Sequence, residues 1–114
     1  MKLVLKWMSK EKRQYSLGVL EKIDGKYIFE TNEVELKKAI QDGCMGIGNF
    51  TFLEKRMESE ELFTFFKSRI PDKNSWKINE VLKKYNLDEY DEMKLLLAKQ
   101  GRSINDRYWV EEMQ

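Results

Sequence analysis

The dipeptide Asp24-Gly25 restricts the fold of this chain more than any other feature, because it separates two segments with strand character. The segment before it, Tyr15 to Glu21, and the segment after it, Lys26 to Glu30, are both rich in aromatic and branched side chains. Asp-Gly accepts the positive φ angles that a tight two-residue turn needs. The sequence therefore predicts a β-hairpin with residues 24 and 25 at its tip.

A further strand is predicted near the start of the chain, where apolar residues alternate with Val4 and Lys6. The residues predicted to share a face are Leu3, Leu5 and Trp7 in this strand and Tyr15, Leu17 and Val19 in the next. The polar stretch SKEKRQ predicts a turn between them. We therefore expect an antiparallel meander of three strands.

Short helices are predicted to follow the meander. Asn32 and Glu35 have the spacing of a capping box, which predicts a helix over residues 33–42 with a partial apolar stripe at 34, 36, 39 and 40. Residues 44–57 form a long connection. The apolar residues expected to pack this connection against the core are Ile47, Phe50, Phe52 and Leu53.

Three more helices and a closing strand complete the prediction. Ser59 is a suitable N-cap for a second helix, and Pro71 should end it. A third helix is expected over residues 76–86, capped by Asn74 or Ser75. A fourth, over residues 92–100, is expected to begin after Asp91 and to end at Gly101. Residues 106–112 (DRYWVEE) return to strand character.

These elements indicate an α+β fold in one domain of 114 residues: a small antiparallel sheet, a cluster of about four short helices and a closing C-terminal strand. The 21 basic and 20 acidic residues nearly cancel, which makes nucleic acid and anionic membranes poor partners for the chain as a whole. Residues 1–26 and 67–84 are locally basic, which indicates either solvated surface or two weak anion-facing patches.

The composition also predicts a cytoplasmic protein without catalytic activity. Cys44 is the single cysteine, and neither a signal peptide nor a membrane-spanning run of apolar residues is recognisable. The absence of histidine excludes Ser–His and Cys–His nucleophiles and histidine-containing zinc sites. No phosphate-binding glycine motif of the GxxxxGK[ST] or GxGxxG type occurs. We therefore expect neither a cofactor nor a metal.

The segment LFTFFKSRIPDKNSW, residues 62–76, contains the candidate functional residues. Its phenylalanines cannot all face one core from one helix, because positions 65 and 66 lie about 100° apart. Either they are buried on two sides, between the sheet and the third helix, or one of them is exposed and anchors a partner. Trp76 is either a packing residue at the start of the third helix or an interface anchor, a role in which tryptophan is enriched. The candidate partner-binding residues are Phe65, Arg69, Pro71, Asp72, Lys73, Trp76 and Lys77.

The order of features resembles the N-terminal subdomain of HipA-type serine/threonine kinases, the toxin kinases of bacterial toxin–antitoxin systems. The segments that carry the resemblance are YSLGVLEKIDGKYIFE, ESEELFTFFKSRIPDK and DEYDEMKLLLAKQGRSINDRYWV. Together they cover nearly the whole chain. Three parts of the chain depart from the family pattern. Arg69 to Lys73 replaces Leu-Leu-Pro-Glu-Gly, and Gln100-Gly101 replaces a pair of glycines. Arg102 and Asn105-Asp106 then follow where small residues are usual.

The motifs of a kinase core are not found in these residues. A free-standing subdomain of this kind is similar to the HipS-like small proteins of three-gene systems, which bind and restrain a separate HipT kinase. The resemblance thus implies a protein that regulates a HipA/HipT-like kinase, with a helix-turn-helix antitoxin as a possible further partner. The chain is also similar to the leading segment of some HIRAN-domain proteins, which implies a DNA-associated accessory domain. A phage or mobile-element protein that imitates the module to block a host factor is a third interpretation.

Overall fold

A computed structural model describes residues 1–45 and 55–113. These residues form an α+β fold in which one five-stranded antiparallel sheet has the strand order β4-β3-β2-β1-β5. The strands are β1 (Lys2–Met8), β2 (Gln14–Ile23), β3 (Lys26–Thr31), β4 (Arg56–Ser59) and β5 (Tyr108–Glu112). The helices are α1 (Glu33–Gln41), α2 (Thr64–Lys67), α3 (Ile78–Lys84) and α4 (Glu92–Lys99).

The predicted hairpin is confirmed. Asp24 and Gly25 have φ angles of 50° and 78°, and Ile23 pairs with Lys26 across the turn. Two consecutive positive φ angles are the mark of the tight turn that matches the twist of paired strands. The alternation predicted for β1 is also confirmed, since Leu3, Leu5 and Trp7 are all buried.

A β-bulge in β2 makes one part of the facing prediction wrong. Leu5 pairs with Gly18 but Lys6 pairs with Ser16, so Leu17 is an extra residue on β2. The insertion moves the buried face from odd to even positions, and the next buried side chain is Leu20. The prediction that Val19 shares a face with Tyr15 and Leu17 is therefore wrong, because Val19 lies after the bulge.

Gly18 lies beside the bulge, where there is no room for a side chain. A Cβ atom at this position would lie 2.4 Å from Cζ of Phe29 and 2.5 Å from the carbonyl oxygen of Glu30. Phe29 is fully buried and the oxygen belongs to the backbone, so neither atom can move cheaply. Glycine allows the Phe29 ring to lie directly against β2.

The first helix agrees with its prediction in position but not in its apolar stripe. The Oδ1 atom of Asn32 accepts a hydrogen bond of 3.1 Å from the backbone N–H of Glu35 and caps α1. Leu36 and Ala39 are buried, whereas Val34 and Ile40 are 66% and 55% exposed. The outer residues of the stripe thus face away from the sheet.

The predicted start of the second helix is wrong. Ser59 ends β4, which pairs with β3 through contacts such as Phe29 with Met57. The Ser59 hydroxyl accepts a hydrogen bond from the N–H of Glu61 in a turn, and α2 is only four residues long. Residues 56–59 satisfy their backbone groups by pairing with the edge of β3, so Ser59 ends a strand rather than starting a helix. The addition of β4 extends the predicted three-stranded meander to four strands, and β5 is the fifth strand of the sheet.

The later elements agree with the sequence more closely. α3 is shorter than predicted at both ends. The predicted cap at Asn74 or Ser75 is wrong, because the N-cap residue is Lys77 and it makes no side-chain capping bond. α4 is capped by Asp91, whose Oδ1 accepts a hydrogen bond of 3.1 Å from the N–H of Lys94. The predicted closing strand is confirmed as β5, which pairs with β1. Most of the predicted apolar connection, residues 46–54, lies outside the described residues.

The hydrophobic core lies between one face of the sheet and helices α1, α2 and α4. Its fully buried side chains include Leu3, Leu5, Leu17, Leu20, Phe29, Phe66, Leu95, Leu96 and Val110. α3 has no fully buried residue and packs at the margin through half-buried side chains such as Val81 and Leu82. None of the helices in the described part of the chain is long and apolar enough to cross a membrane.

Candidate functional site

Trp76 is the most exposed aromatic side chain of the described residues. It lies between α2 and α3 and is 85% accessible to solvent. The Nζ atom of Lys77 lies 4.7 Å from the centre of its ring, a cation–π arrangement. An indole in water leaves a large apolar area that association with another molecule would bury.

The backbone that presents Trp76 is held in place by several hydrogen bonds. We call residues 71–77 the proline turn. The Pro71 carbonyl accepts a hydrogen bond of 2.9 Å from the Tyr90 hydroxyl. Within the turn, Oδ1 of Asp72 accepts from the N–H of Asn74 at 2.8 Å, and the Asp72 carbonyl accepts from the N–H of Ser75 at 3.0 Å. These bonds fix the turn and tie it to the segment before α4.

Tyr90 keeps its hydroxyl proton over a wide pH range. Burial is the largest cause that raises its pKa, followed by the carboxylates of Glu92 and Asp72. A neutral phenol is the form that donates to the Pro71 carbonyl. The restraint on the proline turn therefore persists at neutral pH.

Arg69 does not belong to the surface that the sequence suggested for it. It is 7% exposed, and its Nη atoms donate to the carboxylate of Asp106 at 2.6 and 3.1 Å and to the Gly101 carbonyl at 2.9 Å. Within residues 1–45 and 55–113, Nε is the one guanidinium nitrogen of Arg69 that has no acceptor. The guanidinium lies 4.3 Å from the ring centre of Phe65 and 5.6 Å from that of Tyr108. A side chain bound on so many sides is not available to a partner.

Phe65 is likewise internal. It is 6% exposed and packs edge-on against Phe66 and Tyr108, with ring centres 5.1 and 5.2 Å away. Of the two alternatives for the phenylalanines, the structure selects burial for Phe65 and Phe66 and half-burial for Phe63. Phe65 and Arg69 therefore belong to the interior of the domain and are not available as partner-binding residues.

The remaining candidates stay together at the surface. Asp72, Lys73 and Lys77 are exposed, Pro71 is half-buried, and Trp76 projects beside them. Within the described residues, none of the three charged side chains forms an ion pair. The structure thus joins five of the seven candidates in one exposed patch, which we call the Trp76 patch.

Ion pairs within the domain reduce the positive charge that residues 1–26 and 67–84 present to solvent. Lys2 pairs with Glu21 at 3.2 Å, and Arg69 with Asp106. Arg13 donates from Nε and Nη2 to the carboxylate of Asp42 at 2.8 and 2.7 Å, and the Tyr15 hydroxyl donates to the same group at 2.7 Å. These hydrogen bonds lower the pKa of Asp42 well below its usual range. The network fixes the β1–β2 turn to the end of α1.

A cleft of about 300 Å³ lies where the β1–β2 turn meets the loop before β5. Its walls include Lys10, Lys12, Arg102, Asp106, Arg107 and Trp109, and we call it the basic pocket. Sequence reasoning missed it because its two halves come from opposite parts of the chain. The surplus of lysine in residues 1–26 was the one available signal.

Cys44 has no features of a reactive thiol. It is buried, with Sγ 3.3 Å from the Tyr108 hydroxyl, and burial raises the pKa of the thiol. In residues 1–45 and 55–113 no group of three or more Cys, Asp or Glu side chains is arranged to hold a metal ion.

Comparison with known proteins adds no relative: no protein-family model, no curated protein and no solved structure matches this chain.

Proposed function

We propose that this chain is a non-catalytic interaction module that binds a separate HipA/HipT-like serine/threonine kinase and inhibits it, as part of a cytoplasmic toxin–antitoxin system. The observation that carries the proposal is the 85% exposure of Trp76 on a turn fixed by hydrogen bonds. The identity of the partner rests on the resemblance to the HipA N-terminal subdomain. A helix-turn-helix antitoxin is a further partner that this arrangement allows.

The energetics of the Trp76 patch favour docking. An aromatic side chain buries about 150–250 Å² in an interface, which corresponds to about 4–6 kcal/mol before the costs of association. The hydrogen bonds of the proline turn fix its backbone before the partner arrives, which reduces the ordering entropy that binding must offset. Lys77, beside the indole, and the exposed Lys73 of the same turn suit an acidic rim on the partner.

The proposal is tested by isothermal titration of the chain with a purified HipA/HipT-like kinase from the same genome. We expect a tight complex that Trp76→Ala weakens by roughly 2 kcal/mol, or about 30-fold. Val34→Ala is the matched control, because Val34 is also an exposed apolar side chain, 66% accessible, but lies on α1. The thermal unfolding curve of each variant should match that of the parent chain.

Three outcomes separate the parts of the proposal. The absence of any binding heat with the kinase would reject it. Equal weakening by Val34→Ala and Trp76→Ala would place the docking surface elsewhere. A tight complex in which the kinase phosphorylates its substrate at an unchanged rate would contradict inhibition while keeping the interaction.

The alternative of a DNA-associated accessory domain has less support. Lys2, Arg13 and Arg69 each pair with a carboxylate, which leaves fewer cations for phosphates, and the net charge is only +1. It predicts a gel shift with duplex DNA at low salt that disappears as salt rises, and no shift at low salt would reject it. A mobile-element mimic would be identified by its gene neighbourhood, without a kinase gene beside it.

A further inference from the structure

The basic pocket brings together four cationic side chains that lie far apart in the sequence. Lys10 and Lys12 come from the β1–β2 turn, and Arg102 and Arg107 from the loop between α4 and β5. The two walls are joined by a backbone hydrogen bond of 3.2 Å from the N–H of Met8 to the Arg107 carbonyl. The fold therefore gathers this charge at one end of the sheet.

The carboxylates near the pocket are bound to other groups rather than to its four cations. None of the four cations forms an ion pair within the part of the chain that the structure describes. Glu11 lies between the two lysines in sequence, but its carboxylate is 3.4 Å from Nη2 of Arg13. Asp106, the one acidic residue in the wall, is already bound by Arg69. A bound anion would relieve the repulsion among these like charges.

Both walls are fixed without a ligand. The Nε atom of Arg102 donates to Oε1 of Gln100 at 2.9 Å, and its guanidinium lies 5.1 Å from the ring centre of Trp109. Trp109 is 4% exposed, and its indole N–H donates to the Glu111 carboxylate at 2.7 Å. The other wall is held by the buried Ser9, whose hydroxyl accepts from the N–H of Arg13 at 3.0 Å. The backbone of one wall and the Arg102 and Trp109 side chains of the other are therefore in place before a ligand binds, which lowers the entropy cost of binding.

We propose that the basic pocket binds the dianionic phosphate group of a small phosphorylated molecule. Guanidinium groups bind phosphate oxygens in pairs, and lysines add point charges that do not depend on orientation. A volume of about 300 Å³ is at the small end of ligand sites, which fits a phosphate with a modest organic group. With a net charge of only +1, the chain lacks the extended basic track that a long nucleic acid needs.

The first test is a titration followed by ¹H–¹⁵N NMR spectra at constant ionic strength, with inorganic phosphate and adenosine 5′-monophosphate as the two probes. We expect a saturable displacement of the Trp109 indole N–H signal and of backbone amides in residues 9–12 and 102–107. The indole signals of Trp7 and Trp76 are controls inside the same molecule and should not move. Displacement without saturation, or at all three indoles alike, would overturn the proposal.

The two probes also identify the source of the phosphate. Tighter binding of the nucleotide would mean that its organic part occupies the cleft beside the phosphate. Equal binding would mean that the phosphate group alone is recognised. Either result supports the proposal, whereas no binding of both probes rejects it, and neither result depends on the kinase.

A second test uses charge removal with a matched control. The double variant Lys12→Gln/Arg102→Gln should bind at least about tenfold more weakly, because it removes two charge-assisted contacts. Lys83→Gln/Lys84→Gln removes the same charge from α3, outside the pocket, and should bind as the parent does. Equal losses of affinity in the two double variants would mean that only the total charge of the protein matters, which would reject the basic pocket as a specific site. Unchanged amide signals outside the pocket would show that both variants fold.

The pH dependence provides a third, independent test. The second ionisation of a phosphate monoester has a pKa of about 6. The chain contains no histidine, so no side chain with an ordinary pKa titrates near that pH. Binding of the nucleotide should therefore tighten as pH rises from about 5 to about 7. Affinity that stays flat over this range would contradict recognition of the dianion.

Discussion

Two cation–ring pairs lie close together in the sequence but in opposite surroundings. Arg69 lies 4.3 Å from the ring centre of Phe65, and Lys77 lies 4.7 Å from that of Trp76. The first pair is inside the molecule, where Arg69 is 7% exposed and bound to Asp106. The second is at the surface, where Trp76 is 85% exposed.

The difference teaches that burial, rather than the pairing itself, decides what such a contact does. Around Arg69, water has been replaced by a carboxylate, a carbonyl and two rings, so removing any one partner leaves another group unsatisfied. Around Trp76, water still solvates both members, and the contact contributes little to folding. The inner pair therefore stabilises the domain, and the outer pair remains available for a partner.

The largest expected contrast is between the two aromatic rings. Phe65→Ala should lower the free energy of unfolding by about 3–5 kcal/mol, because it leaves a cavity among Phe66, Tyr108 and Arg69. Trp76→Ala should change it by less than about 0.5 kcal/mol. Urea denaturation of both variants measures the contrast. Similar losses in the two variants would break the comparison.

Replacing the two cations, Arg69 and Lys77, should also lower the free energy of unfolding by different amounts, with the larger loss again at the buried residue. Arg69→Met keeps an apolar stem but leaves the Asp106 carboxylate and the Gly101 carbonyl without their donor, which should cost about 3 kcal/mol of stability. Lys77→Met, the exposed counterpart, should have an effect below about 0.5 kcal/mol.

A second substitution tests the reason for that loss. Asp106→Asn, added to Arg69→Met, removes the unpaired charge and should restore part of the stability. An unchanged loss in the double variant would show that the Gly101 carbonyl left without its donor and the lost guanidinium–ring contacts, and not the unpaired charge, cause it. Thermal unfolding of the four combinations completes the cycle.

The smallest expected effect is on the pH dependence of stability. Burial raises the pKa of the Tyr108 hydroxyl well above the ordinary value of about 10, and the hydrogen bond between this hydroxyl and the Cys44 thiol raises it further. A raised pKa in the folded state means that the stabilisation is fully present below about pH 10 and is lost as pH rises further. Relative to Tyr108→Phe, the parent should lose about 1.4 kcal/mol per pH unit above pH 10. Parallel curves in alkaline denaturation would contradict this.

Local signals in the sequence predicted the elements that depend on neighbouring residues. The Asp24-Gly25 hairpin and the caps at Asn32 and Asp91 each involve groups a few positions apart. The bulge at Leu17 and the strand β4 depend instead on the register of a partner strand, which the sequence of one segment does not contain. Pairing with β3 overrode the helix-start signal at Ser59.

The candidate site also contains residues that the local sequence predicts and residues whose role depends on distant contacts. Trp76 lies in the proline turn, and its place in the sequence after Pro71 was enough to make it a candidate. The burial of Arg69 depends on Asp106, which is 37 positions away, and no local pattern predicts that contact. The basic pocket is more remote still, since its lysines and arginines meet only once β5 has paired with β1.

That pairing of β1 with β5 has a consequence for the order of folding. β1 is the first strand in the described chain and β5 is the last, and the N–H of Met113 donates to the Lys2 carbonyl beyond the end of the ladder. During synthesis on the ribosome, β1 gains its neighbour β2 early, but its other edge has no partner until residue 112 has emerged. A contact of such long range slows folding and leaves an open strand edge in the nascent chain. The basic pocket at that edge is therefore among the last parts of the domain to form.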